Sequence, residues 1–278
     1  MTNKVAFQGE RGAFSETAAK KYFGSRLSVS PSFSFEDVFA KVKNKSVDSG
    51  IIPIENTLYG SIYETYDLLL KYSLTIAGEL SLQINHHLLS NKPYKLTELK
   101  KVYSQPQALG QCSKFLKKLT NTEIVPAYDT AGAILISTQN VNEPTAAIAS
   151  KEAAEIYKMK ILKSNIQDNK DNFTRFIVVR KQPDKKNFTH PKTSICFELR
   201  SIPGALFRAL SVFALRDIDL VKIESRPIPH KPFQYIFYAD LMGSLDERKI
   251  KLAINHLAEI SINIRKFGSY EVGKIYKS

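Results

Sequence analysis

One pattern repeats through the first two-thirds of the chain. A short apolar stretch ends in a cluster of hydroxyl, amide or carboxylate residues, and an amphipathic stretch follows. Lys4-Val5-Ala6-Phe7-Gln8 runs into Gly9-Glu10-Arg11-Gly12-Ala13-Phe14-Ser15 and then a helix through Ala18, Ala19 and Tyr22. Ser49-Gly50-Ile51-Ile52-Pro53-Ile54 ends in Glu55-Asn56-Thr57 and Gly60-Ser61, ahead of a helix over Tyr63–Leu70. Val102-Tyr103-Ser104 leads to Gln105-Pro106-Gln107 and a helix from Ala108 to Leu116, with Pro106 suited to a first helical turn. Glu123–Ala127 precedes Asp129-Thr130, and Ala146-Ala147-Ile148-Ala149 precedes Ser150. Strands alternating with helices in this way specify an α/β architecture with buried strands. In open α/β sheets, ligands bind just past the carboxyl ends of the strands, where these polar clusters fall. Hydroxyls at helix N-termini (Ser104, Thr130, Ser150) suit a cleft that holds carboxylates with backbone dipoles.

Three further stretches fill in this frame. Ser34 reads as an N-cap with Asp37 three residues on, starting a helix with Phe35, Val38, Phe39 and Val42 on one face. Leu74–Leu89 is long and apolar, as two strands or one strand crossing between lobes would be; the adjacent His86 and His87 point to opposite faces of a strand and so do not form a shared metal site. Asn172-Phe173-Thr174-Arg175-Phe176 places an amide, a hydroxyl and a guanidinium at the entry of a buried strand that continues through Ile177-Val178-Val179-Arg180. A strand end holds polar groups rigidly beside a cleft, and equally fits an ordinary edge strand. The glycine turn at Gly9–Gly12 leaves N–H groups open to an anion. It has neither the G-x-G-x-x-G spacing nor the phosphate-loop lysine of nucleotide sites.

After Lys181-Gln182-Pro183-Asp184-Lys185-Lys186-Asn187, a polar stretch with the composition of a linker, the pattern changes. Lys192–Leu199 alternates as a strand, and Ser201-Ile202-Pro203-Gly204 turns into a helix through Leu206, Phe207, Leu210 and Phe213. Ile218–Glu224 is a strand; a turn with Pro227, Pro229 and Pro232 leads to another at Phe233–Leu241. Asp246–Leu257 is a helix and Ile260–Phe267 a last strand. The order βαββαβ is a ferredoxin-like α+β unit.

The net charge of +13 raises nucleic acid as a partner. The lysines are scattered over helix faces and loops, without a recognition helix, zinc-finger spacing or aromatic RNA motif, so no nucleic acid is expected. The same field attracts a small dianion. No apolar run reaches the length of a membrane span, and no signal-peptide pattern opens the chain, so the expected location is cytoplasmic. Cys112 and Cys196 lack metal-ligand spacing and read as reduced core thiols; no metal or cofactor is expected.

Taken together and in order, Gly9–Ser15, Pro53-Ile54-Glu55-Asn56-Thr57, Tyr103-Ser104-Gln105-Pro106-Gln107-Ala108-Leu109, Ala147-Ile148-Ala149-Ser150 and Asn172–Phe176 resemble the prephenate dehydratases. The tail resembles an ACT regulatory domain, with Gly204-Ala205-Leu206 and Glu224-Ser225-Arg226-Pro227 matching its two phenylalanine-binding motifs. Glu10-Arg11 stands where many members have proline, Thr57 where serine is common, and Gln105 where histidine is common. Tyr63–Leu70 also looks like the plant arogenate dehydratases.

The resemblance implies a catalytic region of two α/β lobes over 1–181, similar to type II periplasmic binding proteins, a linker over 182–191 and an ACT domain over 192–278. It implies a carbon–oxygen hydro-lyase that turns prephenate into phenylpyruvate, carbon dioxide and water without a cofactor. Thr174 takes the catalytic position. Arg175 pairs with a substrate carboxylate or forms a structural ion pair, and Phe176 packs on the substrate ring or in the core. Asn172, Asn56, Thr57, Ser104, Gln107 and Thr130 are candidates for substrate contact, and Glu55 orients them or serves as an acid. L-Phenylalanine is the implied allosteric inhibitor, and a homodimer or homotetramer the implied assembly. The alternatives are an arogenate dehydratase and a non-catalytic amino-acid sensor. With no helical mutase segment before Val5, a monofunctional enzyme is expected.

Overall fold

The structure is a computed structural model and describes residues 3–24, 26–139, 143–183, 187–228, 231 and 233–277. The chain divides into two compact units, one formed by Met1–Tyr72, Leu80–Ile177 and Lys274–Ser278, the other by Ser73–Glu79 and Val178–Gly273. Part of the linker stretch (184–186) and two prolines of the turn (Pro229 and Pro232) lie outside the described residues.

The first unit opens with β1 (Asn3–Gln8), α1 (Phe14–Phe23), β2 (Leu27–Ser32), α2 (Phe35–Lys43), β3 (Ser49–Asn56), β4 (Gly60–Ser61), α3 (Tyr63–Tyr72) and β5 (Thr75–Gln83). β1 pairs in parallel with β2 and β3. Val5, Phe7, Ile51 and Ile52 of the sheet and Val38, Phe39 and Val42 of α2 are fully buried or nearly so. The spacing of those α2 residues is one helical face. The capping box expected at Ser34 is formed: Asp37 N–H donates to Ser34 Oγ, and Ser34 N–H donates to the Asp37 carboxylate.

The chain then builds a second lobe from β6 (His87–Ser90), β7 (Lys101–Ser104), α4 (Pro106–Gln111), α5 (Ser113–Leu116), β8 (Glu123–Pro126), α6 (Gly132–Gln139), β9 (Thr145–Ala149), α7 (Lys151–Ile156) and β10 (Lys160–Lys163). The strand order is β10-β6-β9-β7-β8. β9 is buried along its whole length, with Ala147 and Ala149 packing on one face and Ala146 and Ile148 on the other. Small residues there let helices approach both faces. The helix expected over Ala108–Leu116 is two short helices broken at Cys112. The apolar stretch Leu74–Leu89 resolves into β5 and β6, one strand in each sheet.

β11 (Phe173–Arg180) returns to the first sheet, whose order is β16-β5-β11-β3-β1-β2 with β4 beside β3. The outermost strand, β16 (Lys274–Tyr276), comes from the far end of the chain and pairs in parallel with β5 at Leu80, Ser81 and Leu82.

The second unit carries β12 (Pro191–Leu199), α8 (Ala205–Ala214), β13 (Leu220–Pro227), β14 (Tyr235–Met242), α9 (Arg248–Ile260) and β15 (Ser261–Glu271). The antiparallel order β13-β14-β12-β15 is the ferredoxin-like arrangement expected from the sequence. Phe197, Val212, Phe213, Leu241, Ile250 and Leu257 form its dry core between sheet and helices. β13 is one of the two edge strands of this sheet, with Val221 and Ile223 about half exposed.

Candidate active site

β3 and β11 are neighbours in the first sheet, and this pairing assembles the centre of the site. Asn56 ends β3. Its amide nitrogen lies 3.0 Å from Thr174 Oγ1, 2.8 Å from Asn172 Oδ1 and 3.1 Å from the Phe173 carbonyl. Its oxygen accepts the N–H groups of Leu58 and Tyr59 at 2.9 and 3.1 Å. Those two backbone donors fix which way the amide points, since only its oxygen can accept them. Thr174 therefore receives a hydrogen bond at Oγ1 and keeps its own proton for another acceptor.

The neighbours differ in what they have left to offer. Thr57 spends its hydroxyl on the chain itself, donating to the Asp171 carbonyl and accepting from Phe173 N–H, both at 2.9 Å. Glu55 and Arg175 face each other across the strands, 3.5 Å apart at their nearest atoms. Phe176 is 2% exposed and sits in the core. Asn172 is fully buried; its Oδ1 is taken by Asn56, and its Nδ2 has no hydrogen-bond partner among the described residues.

Of the second-lobe candidates, Ser104 turns its hydroxyl to the Ile148 carbonyl of β9 at 2.8 Å, not to a helix N-terminus. Gln107 is exposed on the first turn of α4, and Thr130 is buried beside Asp129. The start of α6 is held by Asp129, whose Oδ1 accepts Ala131 and Gly132 N–H at 2.8 and 2.6 Å. Ser150 caps α7 as expected, accepting Ala153 N–H at 2.9 Å.

The glycine turn after β1 docks on the second lobe. Ser150 Oγ donates to the Gly12 carbonyl at 2.7 Å. A Cβ on Gly12 would come within 2.7 Å of Ala153 Cα, and its φ of +86° favours glycine independently. The buried Glu16 accepts Gly12 N–H at 2.7 Å and pairs with Arg11 and Lys20. Burial works to raise its pKa, but these donors outweigh burial and hold the carboxyl below its ordinary value. Lys20 reaches across to Glu152 of α7 as well, and Thr17 donates to the same carboxylate at 2.5 Å. At the surface, Phe33 of the first lobe stacks on Tyr128 of the second, with ring centroids 4.5 Å apart and 7° between planes.

A cavity of about 240 Å3 lies between Leu58 and Tyr59 on one side and Gly110, Gln111 and Gln167 on the other, with Asn172 at its wall. Gln111 was not singled out by the sequence because it falls inside a stretch that reads as one ordinary amphipathic helix, whereas it is the last residue of α4. His86 holds it, with Nε2 2.6 Å from Gln111 Oε1. Burial lowers the His86 pKa to about 4, and the Gln111 contact offsets this only in part.

In the second unit, Gly204 starts α8 with φ +75°, the left-handed conformation expected of a glycine helix entry. A Cβ there would meet nothing within 4 Å. A cavity of about 380 Å3 adjoins it, lined by Leu199, Ile202, Ala205, Leu206, Phe233 and Tyr235. The second motif lies on β13, where Pro227 pairs with Tyr235 and Ser225 with Phe237; Glu224 and Arg226 alternate with them.

The hydroxyls and amides gathered at the strand ends sit in two α/β lobes, and what the chain is similar to makes it a dehydratase-type lyase. The family model described as "Prephenate dehydratase" matches residues 5–184. Arogenate dehydratase/prephenate dehydratase 2 of Arabidopsis thaliana is 43% identical over 97% of this chain and 73% of its own length. The crystal structure of a prephenate dehydratase from Arthrobacter aurescens in complex with L-Phe aligns at a TM-score of 0.87 and 27% identity, covering 96% of this chain and 90% of its own. A structure described as a novel type of quorum-quenching acylase aligns at 0.88 and 26% identity, over 97% and 98%. The chain belongs to the prephenate dehydratase family.

Proposed function

We propose that the chain converts prephenate to phenylpyruvate, carbon dioxide and water in phenylalanine biosynthesis, with Thr174 at the leaving hydroxyl. The Asn56–Thr174 hydrogen bond carries this reading, because it turns the threonine proton away from Asn56. As the ring carboxylate leaves as carbon dioxide, its bonding pair enters the ring. The ring hydroxyl departs with its own bonding pair and takes up one proton to become water. Formation of the aromatic ring supplies the driving force, so positioning and one donated proton suffice. A threonine hydroxyl is a weak acid, and Thr174 acts by donating a hydrogen bond or relaying a proton that solvent replaces. Arg175 supplies positive charge for a substrate carboxylate, with Glu55 setting its orientation. Asn172 contributes a donor through its unpartnered nitrogen.

Arogenate, the same ring with an amino-acid side chain, is the second reading. The Arabidopsis thaliana relative carries both names. The buried Asp129 supports it: its Oδ2, on the side of Gly9 from the first lobe, has no hydrogen-bond partner among the described residues and offers a counter-charge to an ammonium.

The second unit is read as an ACT regulatory domain over 192–278, following a catalytic region over 1–181. Phenylalanine binds at the cavity beside Gly204 and inhibits by favouring one arrangement of the protein. The apolar edge residues Val221 and Ile223 support a dimer or tetramer built through this domain.

The test is turnover of prephenate and of arogenate by the purified protein and by Thr174→Ala. Phenylpyruvate from prephenate, lost in a folded Thr174→Ala protein, supports the main reading. Turnover of arogenate alone moves the chain to the second. Turnover of neither, with phenylalanine still bound, makes it a sensor.

A further inference from the structure

His86 is 1% exposed and defined on every side. Its backbone N–H donates to Gln167 Oε1 at 3.0 Å, and its carbonyl accepts Ile166 N–H at 2.9 Å. Phe14 meets its ring edge-to-face, with centroids 5.5 Å apart at 85°. Nε2 lies 2.6 Å from the Gln111 side-chain oxygen, while Nδ1 is buried and has no hydrogen-bond partner among the described residues. A carboxamide oxygen only accepts, so Nε2 carries the proton and the ring is the neutral Nε2–H tautomer. Its charged neighbourhood gives no reason to ionise. His87 opposes protonation. The Asp168 carboxylate is spent on Ser113 and on Lys114 N–H.

The consequence falls on Gln111. With its oxygen held by His86, the amide presents its nitrogen to the cavity that Gln111 shares with Asn172. Asn172 is fixed in the same sense by Asn56, which takes its oxygen and leaves Nδ2 bare. Two neutral donors, one on the half-buried Gln111 and one on the buried Asn172, thus border one small cavity, and the same Asn56 amide that orients the second also touches Thr174. Paired N–H donors of this kind suit one carboxylate of an anionic substrate.

We propose that His86 is a positioning residue, which locks Gln111 so that the amide nitrogens of Gln111 and Asn172 together bind a substrate carboxylate beside Thr174. This rests on the dehydratase reading for its substrate, but the His86–Gln111 geometry stands independently of it.

The experiment is a double-mutant cycle on the full chain with prephenate, combined with nitrogen NMR of labelled histidine. His86→Leu lowers kcat/KM by about 10- to 100-fold through misplacement of Gln111. His86→Gln, which returns an N–H donor to the Nε2 position, recovers most of it. In a Gln111→Ala background, His86→Leu costs nothing further, because the two act as one unit. Equal losses in both backgrounds, or no recovery in a folded His86→Gln protein, overturn the proposal. In the NMR arm, His86 gives the neutral Nε2–H tautomer at neutral pH, and its Nε2 resonance moves in Gln111→Ala. An imidazolium signal at neutral pH, or a resonance indifferent to Gln111→Ala, overturns the proposal even if wild type turns over no prephenate. That last result alone refutes only the dehydratase reading.

Discussion

The side-chain amide of Asn56 donates to the hydroxyl of Thr174 across 3.0 Å, and two backbone N–H groups prevent that amide from turning over. The bond joins the last residue of one strand to the second residue of its neighbour. Thr174→Ala is expected to lower kcat/KM by about 10²- to 10⁴-fold, the range of a lost proton-transfer partner. Thr174→Ser, which keeps the hydroxyl, retains most of the activity. Asn56→Ala removes the orienting bond and strands buried polar groups, so it loses activity and about 1–3 kcal/mol of stability. Steady-state kinetics with thermal denaturation of the three variants decides this.

Gly12 lies where the first lobe touches α7. Gly12→Ala introduces a Cβ at 2.7 Å from Ala153 Cα and strains a φ of +86°. A loss of about 1–3 kcal/mol is expected. Ser150→Ala, which removes both the cap of α7 and the bond to the Gly12 carbonyl, costs about 1–2 kcal/mol. Denaturant midpoints measure both, and a neutral Gly12→Ala contradicts the docking described here.

Phe33 is 73% exposed, yet it stacks on Tyr128 of the other lobe. Such a pair contributes about 0.5–1.5 kcal/mol. Phe33→Ala is expected to raise KM severalfold with little change in melting temperature, because the contact matters to lobe closure more than to either core. A KM equal to wild type argues against a clasp.

Two buried groups contribute to the response to acid, one in each pH range. His86 has its pKa lowered to about 4 from an ordinary 6.5. The unfolded chain binds that proton more readily, so the stability it contributes is complete above pH 6.5 and is lost as the pH falls toward about 4. Glu16 is held below its ordinary 4.5, so its contribution is present above 4.5 and is lost as the pH falls through its folded value. Melting temperature is expected to fall in two stages on acidification. His86→Gln shrinks the upper stage, to which the buried His87, also lowered from 6.5, contributes as well, and Glu16→Gln shrinks the lower.

Leu206 and Phe233 line the cavity beside Gly204. If phenylalanine binds there, Leu206→Ala and Phe233→Ala each weaken it by about tenfold, a cost of about 1.4 kcal/mol. Calorimetric titration reads this directly, with turnover in the absence of phenylalanine followed in parallel as a check on folding. Unchanged affinity in both variants moves the site elsewhere.

Much of the fold was legible because it is written in local pattern. Ser34 and Asp37 announced α2, Ser150 announced α7, and the βαββαβ order of the second unit followed from alternation and helical spacing. What escaped was set by distant partners. The exposure pattern of β2, with Ser28, Ser30 and Pro31 among its six residues, does not alternate as a half-buried strand; it is held by parallel pairing to β1. At the site, residue types were readable and orientations were not. Ser104 looked like a helix cap until the Ile148 carbonyl, 44 residues away, claimed its hydroxyl. Thr57 looked free to meet a substrate until Asp171 and Phe173 claimed it. Gln111 gave no signal, because its significance lies in the histidine that holds its oxygen.

The first sheet is finished by β16, whose three residues follow the entire second unit in the chain. During synthesis, β5 must wait with Leu80 and Leu82 on a bare edge until nearly 200 residues later the closing strand emerges. An unpaired apolar edge is a template for another chain. A protein clipped or stalled ahead of Lys274 thus acquires an adhesive flank on its catalytic lobe. Loss of β16 is expected to turn this edge toward self-association.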